Sequence, residues 1–195
     1  MKKIFTLFTL LVVLTSNGWT AYSSSGSNPV LVSSGNLSYT GYPSSGIGNS
    51  ATLTGSSSSS EDVEKTFTAQ TSGSIYASFL VNFSKATTAT DGDYFFGFFT
   101  STGSTMKGRV FVKKSGSNIA FGVSKGATLL ASISYSTFSY SLNTTYLLVL
   151  KYTFNSSSSD DVVNLFVNPD LGGTEPSPTL TNIDTKTDLL NVGAI

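Results

Sequence analysis

This chain contains no His and no Cys, so its carboxylates carry most of its capacity for acid–base or metal chemistry. The densest group is Glu61, Asp62 and Glu64. Paired carboxylates at a suitable separation can run glycoside hydrolysis. On an extended strand Asp62 and Glu64 would share one face, with Glu61 on the other. A five-serine run, residues 56–60, precedes the cluster and no Trp lies nearby to stack on a sugar, so a solvated strand start fits these residues better than a catalytic site. The second group is Asp91-Gly92-Asp93. Calcium takes hard oxygen ligands from carboxylates and backbone carbonyls. Asp91 and Asp93 are therefore candidate calcium ligands, and Asp160, Asp161 and Asp170 could supply other oxygens. The competing reading is a plain Asp-Gly turn. No metal other than calcium is suggested.

The aromatic side chains are the other candidate recognition elements. Tyr94, Phe95, Phe96, Phe98 and Phe99 could line a sugar-binding face, with Gly97 leaving room for a ring or ligand near the backbone. Phe lacks a polar handle and favours core packing. Tyr135, Tyr140 and Tyr146 are the better candidates for a ligand face, because their hydroxyls can stay wet. The missing residue types exclude a Ser-His-Asp triad, a Cys-His pair, a His-ligated metal site and any disulfide.

These residues must be positioned by strands. In residues 144–170, Tyr146, Leu148, Leu150, Tyr152 and Phe154 share one parity, a serine-rich loop follows, and Val163, Leu165 and Val167 resume the alternation. Period-2 patterning on both sides of a turn signal predicts an antiparallel hairpin. Ile75, Ala77, Phe79, Val81 and Phe83 form another one-sided strand. Residues 108–114 and 118–124 predict a hairpin across the three-residue loop Ser115-Gly116-Ser117. Residues 94–99 are apolar on both parities, as in a central strand, and a further strand is expected near 129–135. Residues 22–60 are rich in Ser, Gly and Asn, with short apolar islands at 30–32, 37–39 and 51–53. No window has convincing helical periodicity.

The 195 residues suffice for one all-β sandwich. Charged residues make up only 11%, against about 25% in an ordinary soluble domain, so Ser, Thr, Asn and Gly must coat the surface. Such a surface suits neutral polar partners such as sugars, and it is also common in exported β proteins. Residues 1–21 have the layout of a secretory signal peptide: Lys2 and Lys3, an apolar run over 4–14, then small residues. The run is too short to span a bilayer, which takes about 20 residues. Cleavage is expected between Gly18 and Ser24, removing Trp19 and leaving residues 22–195 as a domain that is secreted or held at the cell surface. Without Lys2 and Lys3, the 11 basic residues fall to 9 against 11 acidic ones, a net charge of −2. No basic stripe is present to bind nucleic acid.

The segments EDVEKTFTAQTSGSIYASFLVNF, YFFGFFT, GRVFVKKSGSNIAFGVSKG and TYLLVLKYTF…DDVVNLFVNPD resemble laminin-G-like, concanavalin A-like jelly-roll modules of secreted multidomain bacterial proteins. The resemblance covers roughly residues 30–195. It implies an antiparallel jelly-roll sandwich, other domains in the same full-length protein, and calcium at loop ends. Glucanases of that fold carry E-x-D-x-x-E along one strand, whereas this chain has E-D-x-E at Glu61–Glu64. In the family the chain continues after the NPDLGGTEPSPT loop through one or two closing strands. Here it ends in NVGAI, so the closing strand is expected to be missing and residues 189–195 poorly covered. The function expected is a non-catalytic binding or spacer module for polysaccharide or extracellular matrix. The alternative is a glycan-cleaving hydrolase or lyase of the same fold.

Overall fold

Alternation along the chain produces two antiparallel sheets with a shared apolar interior. The computed structural model describes residues 19–22, 28–55, 60–101, 105–126 and 130–195. Most of the expected leader, residues 1–18, lies outside them, as do residues 56–59 of the serine run. The strands are β1 (Trp19–Ala21), β2 (Leu31–Ser33), β3 (Ser50–Thr52), β4 (Val63–Gln70), β5 (Ser74–Asn82), β6 (Asp93–Phe99) and β7 (Met106–Ser115). They continue with β8 (Asn118–Ser124), β9 (Ser134–Tyr135), β10 (Tyr140–Ser141), β11 (Thr145–Thr153), β12 (Val162–Val167), β13 (Leu180–Asn182) and β14 (Val192–Ala194). Among the described residues the only helix is the 3₁₀ turn Leu130–Ser132. The larger sheet has the order β1-β4-β14-β6-β7-β8-β10, with β9 also on β8; the smaller is β13-β12-β11-β5. A separate ribbon pairs β2 with β3. The fold is an antiparallel jelly-roll β-sandwich.

The 144–170 hairpin forms as its pattern predicts: Thr153 lies opposite Val162 and Leu148 opposite Val167. Tyr146, Leu148, Leu150 and Tyr152 enter the core between the sheets, where Val163 and Leu165 meet them. Fully burying one such leucine contributes about 1.5–3 kcal/mol. The opposite parity, Leu147 and Val149, is apolar too and needs its own cover. Tyr42 supplies it from the loop after β2, closing over Leu147, Val149 and Phe166 while its hydroxyl donates to the Ser78 carbonyl at 3.1 Å.

Three details differ from the sequence expectation. The β7–β8 turn has two residues, not three, because Ser115 pairs with Asn118. Gly116 alone carries the positive φ, +59°, as a type II′ turn requires. Bulges between Tyr94 and Phe98 break the alternation of β6, so Phe95 and Phe96 both turn toward the core. Trp19 belongs to β1, pairs with Lys65 and packs against the core. Finally, residues 192–195, expected to be poorly covered, are buried, as is Leu189, while Leu190 is 88% exposed. β14 lies inside the larger sheet between β4 and β6, with Val192 and Ala194 fully buried. The Ile195 amide and carbonyl exchange hydrogen bonds with Lys65 at 3.1 and 2.9 Å.

Candidate ligand-binding face

The outer face of the larger sheet carries an aromatic row set by register. Tyr94 of β6 lies opposite Phe111 of β7, Phe111 opposite Gly122 of β8, and Gly122 opposite Tyr135 of β9. The glycine makes the row possible. A Cβ at Gly122 would sit 2.5 Å from Tyr135 Cε1, so the Tyr135 ring lies flat across a position that only glycine leaves open. Tyr135 then reaches Phe111 at 6.5 Å between centroids, and Phe111 meets Tyr94 edge-on at 6.0 Å.

Cations lie over two of the rings. Arg109, Phe111 and Lys113 share the outer face of β7 by strand periodicity. The Arg109 guanidinium carbon lies 5.5 Å from the Tyr94 centroid. Lys113 Nζ lies 3.7 Å from the Tyr135 centroid and 5.9 Å from that of Phe138, and donates to the Thr90 carbonyl at 3.1 Å. Burial pulls the Arg109 pKa down, which the neighbouring Tyr94 opposes. Burial, followed by the charges of Asp91 and Asp93, pushes the Tyr135 phenol well above the ordinary tyrosine value. Tyr94 and Phe138 remain exposed, at 48% and 40%, while Phe111 beneath them is buried. The result is a wet aromatic surface with polar groups at its margins. A polar cleft of about 380 Å³ lies beside it, lined by residues including Ser134, Thr181, Asn182, Asp184 and Lys186.

The sequence candidates separate on this frame. Tyr135 is on the outer row. Tyr146 is in the core, where its hydroxyl accepts from the Ser141 amide at 2.7 Å and donates to the Ser141 carbonyl at 3.2 Å. Tyr140 packs edge-on against Phe121 and Tyr146 at 5.0 and 5.4 Å. The expected wet hydroxyl is therefore corrected for Tyr146, whose parity on β11 directs it inward, and Tyr140 packs on the same inner side. Of the aromatics in β6, Tyr94 alone belongs to the outer row. The space above Gly97 is taken by Met106, whose Cγ would lie only 3.1 Å from a Cβ added to that glycine.

Asp91 and Asp93 are exposed, and Asp91 serves the row through its carbonyl, which accepts the Tyr135 hydroxyl at 2.5 Å. Gly92, at φ +69°, closes the turn with its amide on the Ala89 carbonyl. The described carboxylates that converge lie elsewhere: Asp160, Asp161 and Asp188 have oxygens within 4.8 Å of one another. Asp170 is exposed and outside this group. Protein donors already hold the three. Asp188 Oδ2 accepts the Asp160 and Asp161 amides at 2.8 and 3.1 Å, and Asp188 Oδ1 meets Lys125 Nζ at 2.5 Å. Asp161 accepts the Tyr152 hydroxyl and the Asn155 amide, each at 2.6 Å. Asp160 Oδ1 accepts the Ser157 amide at 3.0 Å. The Lys125 ammonium occupies the electrostatic role that a bound cation would have. Sequence reasoning found Asp160 and Asp161 but missed Asp188 and Lys125, which are 63 residues apart.

The Glu61–Glu64 cluster divides. Glu61 Oε2 accepts the Val30 amide at 2.7 Å, and the Asp62 carbonyl accepts the Tyr22 amide at 2.8 Å. Glu64 lies on β4 opposite Thr20, with Oε2 buried and without a hydrogen-bond partner. In comparisons with family models, with characterised proteins and with solved structures, nothing matches the chain.

Proposed function

We propose that this protein is an exported, non-catalytic module that binds polysaccharide, or the glycan of an extracellular matrix, on the outer face of the larger sheet. The observation that carries the proposal is the row Tyr94, Phe111 and Tyr135, extended by Phe138, with Arg109 over the Tyr94 ring and Lys113 over that of Tyr135. The exposed rings of Tyr94 and Phe138 accept the apolar C–H face of a sugar, and the Lys113 ammonium and the Tyr135 hydroxyl lie close by for its polar groups. The hydroxyl- and amide-rich surface and the leader-like residues 1–21 support the same reading, as does the resemblance to laminin-G-like modules. The test is retention on an immobilised polysaccharide panel. Tyr94→Ala and Phe138→Ala should each abolish retention with unchanged urea midpoints. Retention that survives both substitutions refutes this face, and no retention of the native chain on any glycan favours a spacer.

Glu64 supports a second reading, glycan cleavage, because a buried carboxylate oxygen without a partner is the kind of group that acid catalysis uses. Reducing-sugar release by the native chain, lost in Glu64→Gln, would replace the non-catalytic reading.

A further inference from the structure

We propose that Lys125 and Asp188 become joined by an amide bond between Nζ and Cγ. Lys125 is fully buried and the Asp188 side chain is 8% exposed. The amine and the carboxyl that would react are already in contact at 2.5 Å. A second bond to the Ser159 carbonyl, at 2.9 Å, holds Nζ, and the Lys125 amide is tied to Asn182 Oδ1 at 2.7 Å. The nucleophile is therefore fixed at both ends of its residue.

The far side of the carboxyl is equally prepared. Asp188 Oδ2 faces the amides of Asp160 and Asp161 at 2.8 and 3.1 Å. Two backbone N–H groups aimed at one carboxyl oxygen stabilise the charge that develops there when an amine adds to the carbon. The buried carboxylate of Asp161 has an oxygen within 4.8 Å of one from Asp188 and is held in place by Tyr152. Burial excludes the water that would compete with the amine.

The step balances without a co-reactant. One proton passes from the ammonium to Asp188 Oδ1, leaving a neutral amine beside a neutral acid. Nζ adds to Cγ, and the negative charge moves to Oδ2 under the two amides. A second proton passes from Nζ to Oδ1, with which it is already in contact, and Oδ1 departs as water while Oδ2 returns to a carbonyl. One ammonium and one carboxylate give one amide and one water. The product would tie the end of β8 to the segment entering β14, a covalent staple in a chain with no cysteine.

The test is mass spectrometry of the purified full chain under denaturing conditions. The expected result is a mass lower by one water, resistance to trypsin after Lys125, and a branched peptide joining the Lys125 and Asp188 segments. Lys125→Arg and Asp188→Ala should each remove the branched peptide. Ordinary tryptic cleavage after Lys125 and an unmodified Asp188 peptide in the native chain would overturn the proposal.

Discussion

Replacing Tyr152 by Phe removes one oxygen from the fully buried end of the core and tests whether the Asp161 network holds β14 in place. The Tyr152 hydroxyl donates to Asp161 Oδ2 at 2.6 Å and accepts the Leu189 amide at 3.1 Å. Tyr152 is fully buried and Asp161 is 2% exposed, so water cannot readily replace the lost partner. A hydrogen bond to a charged group is worth about 1.5–3 kcal/mol net, and an orphaned buried N–H costs about 1–3 kcal/mol. The phenyl ring stays, so little cavity term is added. The two terms share one hydroxyl and are not additive, so the expected loss is about 2–4 kcal/mol. With a urea slope of about 2 kcal/mol/M the midpoint should fall by about 1–2 M at unchanged slope. Tyr146→Phe is the control. It removes a hydroxyl from the same core, but its partner is the backbone of exposed Ser141, which water can reach. That variant should lose about 1 kcal/mol or less. Equal shifts in the two variants, or a Tyr152→Phe shift below about 0.5 kcal/mol, would refute the assignment of a stabilising role to the Asp161–Tyr152–Leu189 chain.

Three further outcomes follow from the same geometry. Gly122→Ala puts a methyl within 2.5 Å of Tyr135 Cε1 and should displace that ring. Glycan retention should be lost, with a destabilisation of about 1–3 kcal/mol; full retention would show that Tyr135 does not belong to the binding surface. Burial, and then the hydrogen bond to Asp161, raise the Tyr152 pKa above its ordinary value of 10.0. The unfolded chain therefore loses this proton first, and above about pH 10 this group's contribution to stability should fall by about 1.4 kcal/mol per pH unit, with no change below that pH. Urea titrations of the native chain and Tyr152→Phe at alkaline pH check the slope; identical slopes refute it. Melting temperature should be the same in EDTA and in millimolar calcium, because the converging carboxylates already have protein donors. A rise of about 2–4 °C, the size expected for a site of ordinary extracellular affinity, would refute that and would be traced with Asp91→Ala and Asp93→Ala.

Local pattern revealed the strands but little of what joins them. The alternation in residues 75–83, 146–154 and 163–167 determined which side chains enter the core, because a strand buried on one face writes its orientation every second residue. That same parity held the clue that Tyr146 is internal: it runs with Leu148, Leu150 and Tyr152. The position of β14 had no comparable signal. Three residues, Val192–Ala194, cannot establish a period, and their partners Gln70, Thr66 and Phe99 are about a hundred residues away in the chain. The Lys125–Asp188 pair was equally hidden, since neither residue sits in a motif and only the packing of β8 beside the β11–β12 loop brings them together.

The aromatic row shows how glycine can carry recognition information that no aromatic count reveals. Tyr94, Phe111 and Tyr135 come from three strands, and nothing in their separate surroundings links them. The link is Gly122, one position with no side chain in a strand otherwise filled by Ile119, Ala120, Phe121 and Val123. In the sequence it reads as a weak point in β8, because glycine has no side chain to pack. In the sheet it is the floor on which Tyr135 lies, bringing that ring to Phe111 and its hydroxyl to the Asp91 carbonyl. The Asp-Gly turn at residues 91–92 thus has a structural partner 44 residues away. A substitution at Gly122 should therefore disturb Asp91 and the ligand face together, whereas Asp91→Ala keeps the backbone carbonyl and should leave Tyr135 in place.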